Sequence, residues 1–161
     1  MPKKSSISTE IERKFLLSVR DFKRLAKNRQ MIFIDQGYLI LKKNYHSRIR
    51  LSKTGEKFEA IFCSKVGIGL VRKEFEEKIS LEHGKLLMRE SVRVLRKQRL
   101  KIKFKGLVWD LDYYPQENFA IAEIEIPSTN FKIEMPEWAG REVTGMRRYS
   151  NINLARIRKK I

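Results

Sequence analysis

With 161 residues and 42% hydrophobic content, the chain is long enough to bury a substantial core in one domain. Its 36 Lys and Arg against 19 Asp and Glu leave a formal charge of +17, the sign that draws polyanions. A lone cysteine, Cys63, excludes an intramolecular disulfide and a cysteine-rich zinc cluster; no apolar run follows the basic start Met1-Pro2-Lys3-Lys4-Ser5-Ser6 or spans a membrane, so a soluble, cytoplasmic protein is expected.

The first predicted strand, 8–17, contains Glu10-Ile11-Glu12-Arg13-Lys14. Period-two alternation puts Glu10, Glu12 and Lys14 on one face. Two carboxylates beside an ammonium suit a divalent cation that holds a phosphate chain, because hard oxygens bind Mg²⁺ or Mn²⁺. For a single segment, a wetted face of an antiparallel sheet is the competing reading. A helix should follow, capped by Ser18 or Asp21 and running through Ala26-Lys27, with Phe22 and Leu25-Ala26 as its apolar side.

Strands are then predicted at 31–41, 47–53, 57–65 and 70–80, with short links such as Thr54-Gly55-Glu56. They carry Arg48-Ile49-Arg50 and the series Arg72, Glu74, Glu76, which repeat the charged alternation. His46 falls in a predicted loop and His83 at the start of a second helix that Ser80 or Glu82 opens and that runs through Met88; both read as surface histidines. Cys63 reads as a small strand side chain. The last strands, 92–105, 107–114 and 119–127, turn at Gly106 and add Lys97-Gln98-Arg99, Asp110-Leu111-Asp112 and Glu123-Ile124-Glu125. A third helix is predicted over Met146 to Ile157, with Tyr149, Ile152, Leu154-Ala155 and Ile157 as its buried stripe. No linker or repeat divides the chain, so 1–161 is read as a single domain.

Eight such strands predict an all-β-dominated (α+β) fold, an antiparallel meander that closes into a barrel with a few short flanking helices. With the charged faces inward, the apolar residues at 11, 15, 49, 75, 111, 124 and 126 point out, beneath helices and loops. The interior would then hold Lys14, Arg48, Arg50, Lys65, Arg72, Lys97, Arg99 and Arg148 against Glu10, Glu12, Glu74, Glu76, Asp110, Asp112, Glu123 and Glu125, eight of each sign. Burying unpaired charge costs several kcal/mol per group, so an interior of this kind argues for a ligand. Its balance also places the surplus charge outside. Arg89 to Lys105, with eight basic residues and one acid, and the tail Arg156 to Lys160 are candidates for nonspecific polyanion contact.

Taken in order, Glu10-Ile11-Glu12-Arg13-Lys14-Phe15-Leu16, Gln36-Gly37-Tyr38-Leu39, Arg48-Ile49-Arg50, Lys65 with Arg72, Glu74 and Glu76, Lys97-Gln98-Arg99, Trp109-Asp110-Leu111-Asp112, Ala122-Glu123-Ile124-Glu125 and Glu142-Val143-Thr144-Gly145 through Arg148-Tyr149-Ser150-Asn151 resemble the CYTH family, the triphosphate tunnel metalloenzymes, over about residues 8–156. The resemblance implies a closed eight-stranded antiparallel barrel whose tunnel takes a linear triphosphate. It implies Glu10, Glu12 and Glu125 as metal ligands for Mg²⁺ or Mn²⁺, with Glu123 and Asp112 for a second ion or for orienting water. Lys14, Arg48, Arg50, Lys65, Arg72, Lys97, Arg99 and Arg148 form the implied substrate-binding set. Glu74, Glu76 or Asp112 would activate water, and Lys65 or Lys97 would stabilise the leaving group. The chain departs from the family pattern at Cys63, Asp110 and Met146. Inorganic triphosphate is the first expected substrate. The alternatives are thiamine or nucleoside triphosphate, a class IV-type adenylate cyclase, or a nonenzymatic module that binds RNA or polyphosphate. Oligomeric state is not legible.

Overall fold

The alternating segments form eight strands that close into one antiparallel barrel. The computed structural model describes residues 7–157; the basic start and the tail beyond Ile157 lie outside the described residues. The strands are β1 (Ile7–Leu17), β2 (Ile32–Lys42), β3 (Tyr45–Thr54), β4 (Lys57–Val66), β5 (Val71–Ile79), β6 (Arg93–Phe104), β7 (Leu107–Tyr114) and β8 (Phe119–Glu125). Helix α1 (Val19–Ala26) follows β1 and α2 (Leu81–Glu90) follows β5. Around the barrel the order is β2-β3-β4-β5-β1-β8-β7-β6, and β6 pairs back onto β2. The expected simple meander is therefore two meanders, β2 to β5 and β6 to β8, with β1 inserted between β5 and β8.

Local chemistry sets the joints. Ser18 caps α1 by accepting from the Asp21 N–H at 3.0 Å, and Ser80 caps α2 by accepting from the His83 N–H at 3.2 Å. The β6–β7 hairpin turns on Lys105 and Gly106, both with positive φ (49° and 79°), which matches the twist of the flanking strands.

The third predicted helix is shorter than its apolar spacing implied. A 3-10 turn, Arg147–Tyr149, leads to one turn of helix, α3 (Asn151–Leu154), and then to a two-residue strand, β9 (Arg156–Ile157), which pairs with β6. Ser150 is the reason: it is extended and caps a fresh helix start, accepting from the Asn153 N–H at 3.2 Å. Ala155 is buried, but Ile157 is exposed.

The barrel is apolar outside and charged inside. Phe15, Leu100, Trp109, Leu111, Ala122 and Ile124 face outward into a buried cluster with Phe22 and Leu25 of α1. Trp109 packs edge-on against Trp138, 5.2 Å away, which pins the loop after β8 over this wall. On the opposite side α2 covers β2, β3 and β4, and it lies close because residue 84 is glycine. A Cβ there would sit 2.6 Å from the Ala60 Cβ. Phe75, expected beneath a helix or loop, is only half-buried, since among the described residues no helix packs extensively on β5. A second buried cluster, Tyr38, Leu95, Tyr114 and Ile121 with Ala155, forms an inward-facing apolar layer beneath the α3 segment. Among the described residues no helix is long and apolar enough to cross a membrane.

Candidate functional site

The inward faces enclose a cavity of about 1070 Å³. β1 crosses it with Glu10, Glu12 and Lys14, and pairing fixes what each one meets. Glu10 lies across from Arg72 of β5, Glu12 across from Glu125 of β8, and Lys14 across from Glu123. Two of these pairings join opposite charges and the third joins two carboxylates.

On one wall the charges are fully engaged. Asp112, completely buried on β7, accepts from the Lys97 ammonium at 2.6 Å and from two nitrogens of the Arg99 guanidinium at 2.7 Å. The Arg99 fork also reaches Asp110 at 2.7 Å, and Lys14 donates to Glu123 at 2.9 Å. Burial works to raise the Asp112 carboxyl, but Arg99 and Lys97 overcome it and hold it below the usual carboxylate range. The same contest, with Lys14, Lys97 and Arg99 prevailing over burial, holds Glu123 well below that range. Burial and the neighbouring Arg99 depress Lys97 despite Asp112.

The other wall is only partly satisfied. Lys65 donates to both Glu10 oxygens at 2.7 Å and lies 2.6 Å from Glu74, while Arg72 reaches Glu10 at 3.1 Å. Against burial, Lys65 and Arg72 hold Glu10 low. Glu12 has only long contacts, 3.4 Å to Lys14 and 3.9 Å to Arg72. Burial and then the Glu123 charge push its carboxyl up. Glu125 is also pushed up, by burial and then by Glu10, Glu74 and Glu12. Two carboxylates opposed across a strand pair and short of cations have the donor chemistry that a hard divalent cation requires. On the cationic side, Nε of Arg48 and Nε of Arg72 are buried with no hydrogen-bond partner among the described residues. Orphaned guanidinium donors in a polar cavity fit an anion.

Set against the expectations from sequence, Glu10, Glu12, Lys14, Arg48, Arg50, Lys65, Arg72, Glu74, Glu76, Lys97, Arg99, Glu123 and Glu125 all line the cavity. Asp112 does not. It sits opposite Ile121 and two residues from Tyr114, at the apolar layer, with Lys97 and Arg99 between it and the open space. Arg148 does not either: it is exposed, stacks 5.6 Å from the Tyr149 ring and lines a separate groove with Leu16 and Glu117. Its neighbour Arg147 lines the tunnel. Another cavity residue that the sequence reading missed is His46, which lies on β3 and not in a loop because the β2–β3 turn is tighter than expected. Extending the Arg48-Ile49-Arg50 alternation back by two residues finds it. Cys63 is buried and its thiol is raised by burial, consistent with a strand side chain.

A strap fixes the tunnel rim. The Val143 N–H donates to the Lys14 carbonyl at 2.8 Å, and the Lys14 N–H donates to the Thr144 hydroxyl at 2.9 Å. Arg13 grips Glu142 through two nitrogens at 2.8 and 2.5 Å. Val143 through Arg147 then line the cavity.

Known proteins resemble this chain in sequence or in fold. The chain is 34% identical over 149 residues to an inorganic triphosphatase of Acetivibrio thermocellus, covering 91% of this chain and 93% of the relative. Two solved proteins of Pyrococcus horikoshii OT3, PH1819 and PH1012, share the fold at TM-score 0.57, with 21% and 19% identity over 75% of this chain and 80% of theirs. The model of the CYTH domain matches residues 8–156, and the chain belongs to the CYTH domain family.

Proposed function

We propose that this chain is a metal-dependent triphosphatase that hydrolyses inorganic triphosphate inside the barrel. The observation that carries the reading is the pair of orphaned guanidinium donors, Arg48 and Arg72, beside the under-neutralised carboxylates Glu12 and Glu125. A metal-bound triphosphate supplies both missing partners, and the relative of known name is an inorganic triphosphatase.

Triphosphatases of this family are metal-dependent. Glu12 and Glu125 are the carboxylates best placed to hold the ion, which we take to be Mg²⁺ or Mn²⁺, with Glu10 beside them if Lys65 yields one oxygen. When bound, that ion would neutralise phosphate oxygens and lower the charge barrier to attack. Arg48, Arg50, Arg72 and Arg99 grip phosphate oxygens from three walls. Glu76 is free to take a proton: its ion pair among the described residues is a 3.5 Å contact with Arg50. A water oxygen then bonds to the terminal phosphorus in line with the bridging oxygen, its proton passes to Glu76, and the bridging P–O bond breaks. Lys65 and Lys97 supply positive charge to the departing diphosphate. Asp112 acts one step behind, holding Lys97 and Arg99 in place.

The direct test is phosphate release from inorganic triphosphate, ATP and thiamine triphosphate, with Mg²⁺, Mn²⁺ or chelator. Release from inorganic triphosphate above the others, abolished by chelator, is expected. A folded sample that releases nothing from any of them overturns the hydrolase reading.

A further inference from the structure

Among the titratable side chains that line the tunnel and have no task above, one is a histidine. His46 lies across from Lys65 in the β3–β4 pairing and two residues before Arg48 on the same face. Its ring meets Tyr38 edge-on, with centroids 5.8 Å apart. Among the described residues neither ring nitrogen has a hydrogen-bond partner, and both belong to a residue that lines the cavity. Tyr38 of β2 meets its ring, and the charges that act on it most are those of Arg48 from β3, Arg72 from β5, Lys65 from β4 and Glu10 from β1. Lys42, Lys43 and Arg147 line the same cavity and add more positive charge.

We propose that His46 is a substrate-linked proton site, at which entry of a polyphosphate anion moves one proton from solvent onto the unpaired ring nitrogen. The imidazolium so formed joins Arg48, Lys65 and Arg72 in holding the chain. This rests on the tunnel being the triphosphate site. In the free protein burial, then Arg48, Arg72 and Lys65, push the imidazole down to about 3, with Glu10 in weak opposition, so it is neutral near neutral pH. An anion on those three cations cancels their share of the push and adds attraction of its own. The sign follows: a group neutral when free and protonated when bound takes up a proton on binding. Affinity therefore rises as pH falls, by up to about tenfold per pH unit, and flattens above the bound-state pKa.

The test uses an imido-bridged triphosphate analogue that resists hydrolysis, with Mg²⁺ present. Calorimetry in two buffers of different ionisation enthalpy counts protons taken up by wild type and by His46→Gln. We expect about one more proton for wild type near pH 6, together with weaker and pH-flatter binding by the variant. The chain has 2 histidines, so the imidazole ¹⁵N signals of wild type give the answer without any variant. The His46 signal should move from neutral to imidazolium on saturation. Binding with equal uptake in both proteins, or a His46 signal that stays neutral, overturns this proposal and leaves the triphosphate site standing. No binding of the analogue to wild type overturns both.

Discussion

Asp112 and Glu12 are carboxylates facing the inside of the same barrel, and their surroundings differ in what they leave unsatisfied. Asp112 has two cations on it at 2.6 to 2.7 Å, is fully buried and sits below its ordinary pKa. Glu12 faces another carboxylate across the strand pair, has no cation closer than 3.4 Å and is pushed above its ordinary pKa. The first arrangement is complete without a ligand and holds Lys97 and Arg99 rigid. The second is incomplete and becomes favourable only when a cation and an anion arrive. In a charged interior, then, satisfied ion pairs read as scaffold and unsatisfied groups read as site.

The contrast can be broken most forcefully at Asp112. Asp112→Asn leaves Lys97 buried without its counter-charge and takes from Arg99 one of its carboxylate partners, Asp110 remaining, which costs about 3–5 kcal/mol, a fall in melting temperature of about 10 °C. Glu12→Gln should do the reverse. It removes like-charge repulsion from the metal-free fold, which should melt higher, while triphosphate hydrolysis falls on the order of 10²-fold. If Glu12→Gln lowers the melting temperature as Asp112→Asn does, the distinction between the two carboxylates fails.

Acid titration separates the same groups. Glu12 and Glu125 are raised in the fold, so it binds more protons there than the unfolded chain, and metal-free stability should rise as pH falls into their range. Glu10, Asp112 and Glu123 are depressed, so the stability they give above the unfolded carboxylate range is lost as pH falls through their folded values. Denaturant unfolding against pH should show a shallow maximum on the acid side of neutrality, absent in a Glu12→Gln, Glu125→Gln double variant. The smallest effect distinguishes two neighbours. Arg147→Ala should raise KM a few-fold, as expected for a rim cation worth under about 1 kcal/mol, and Arg148→Ala should leave KM unchanged.

Much of this was legible in the sequence. Every barrel strand was predicted to within about two residues at each end, because period-two charge alternation is unambiguous when both signs recur on one face. Facing was legible for the same reason. Depth was not: Asp110 and Asp112 share a face, but only the packing of Ile121, Tyr114 and Leu95 decides that Asp112 ends at the apolar layer while Asp110 lines the cavity. The Arg147 and Arg148 exchange comes from Ser150, whose cap ends the 3-10 turn and rotates the pair relative to a continuous helix. His46 was missed by the reach of one short turn, and the insertion of β1 between β5 and β8 is a long-range pairing with no local signal.

The most direct test of the unsatisfied site as the working site is thermal unfolding of wild type and of the Glu12→Gln, Glu125→Gln double variant, with and without Mn²⁺ plus the imido-bridged triphosphate. Wild type should start lower and gain several degrees on addition, as a ligand at about 100 times its Kd contributes roughly 2.7 kcal/mol; the double variant should start higher and gain little. Equal gains in both proteins, or no gain in wild type, would contradict the account.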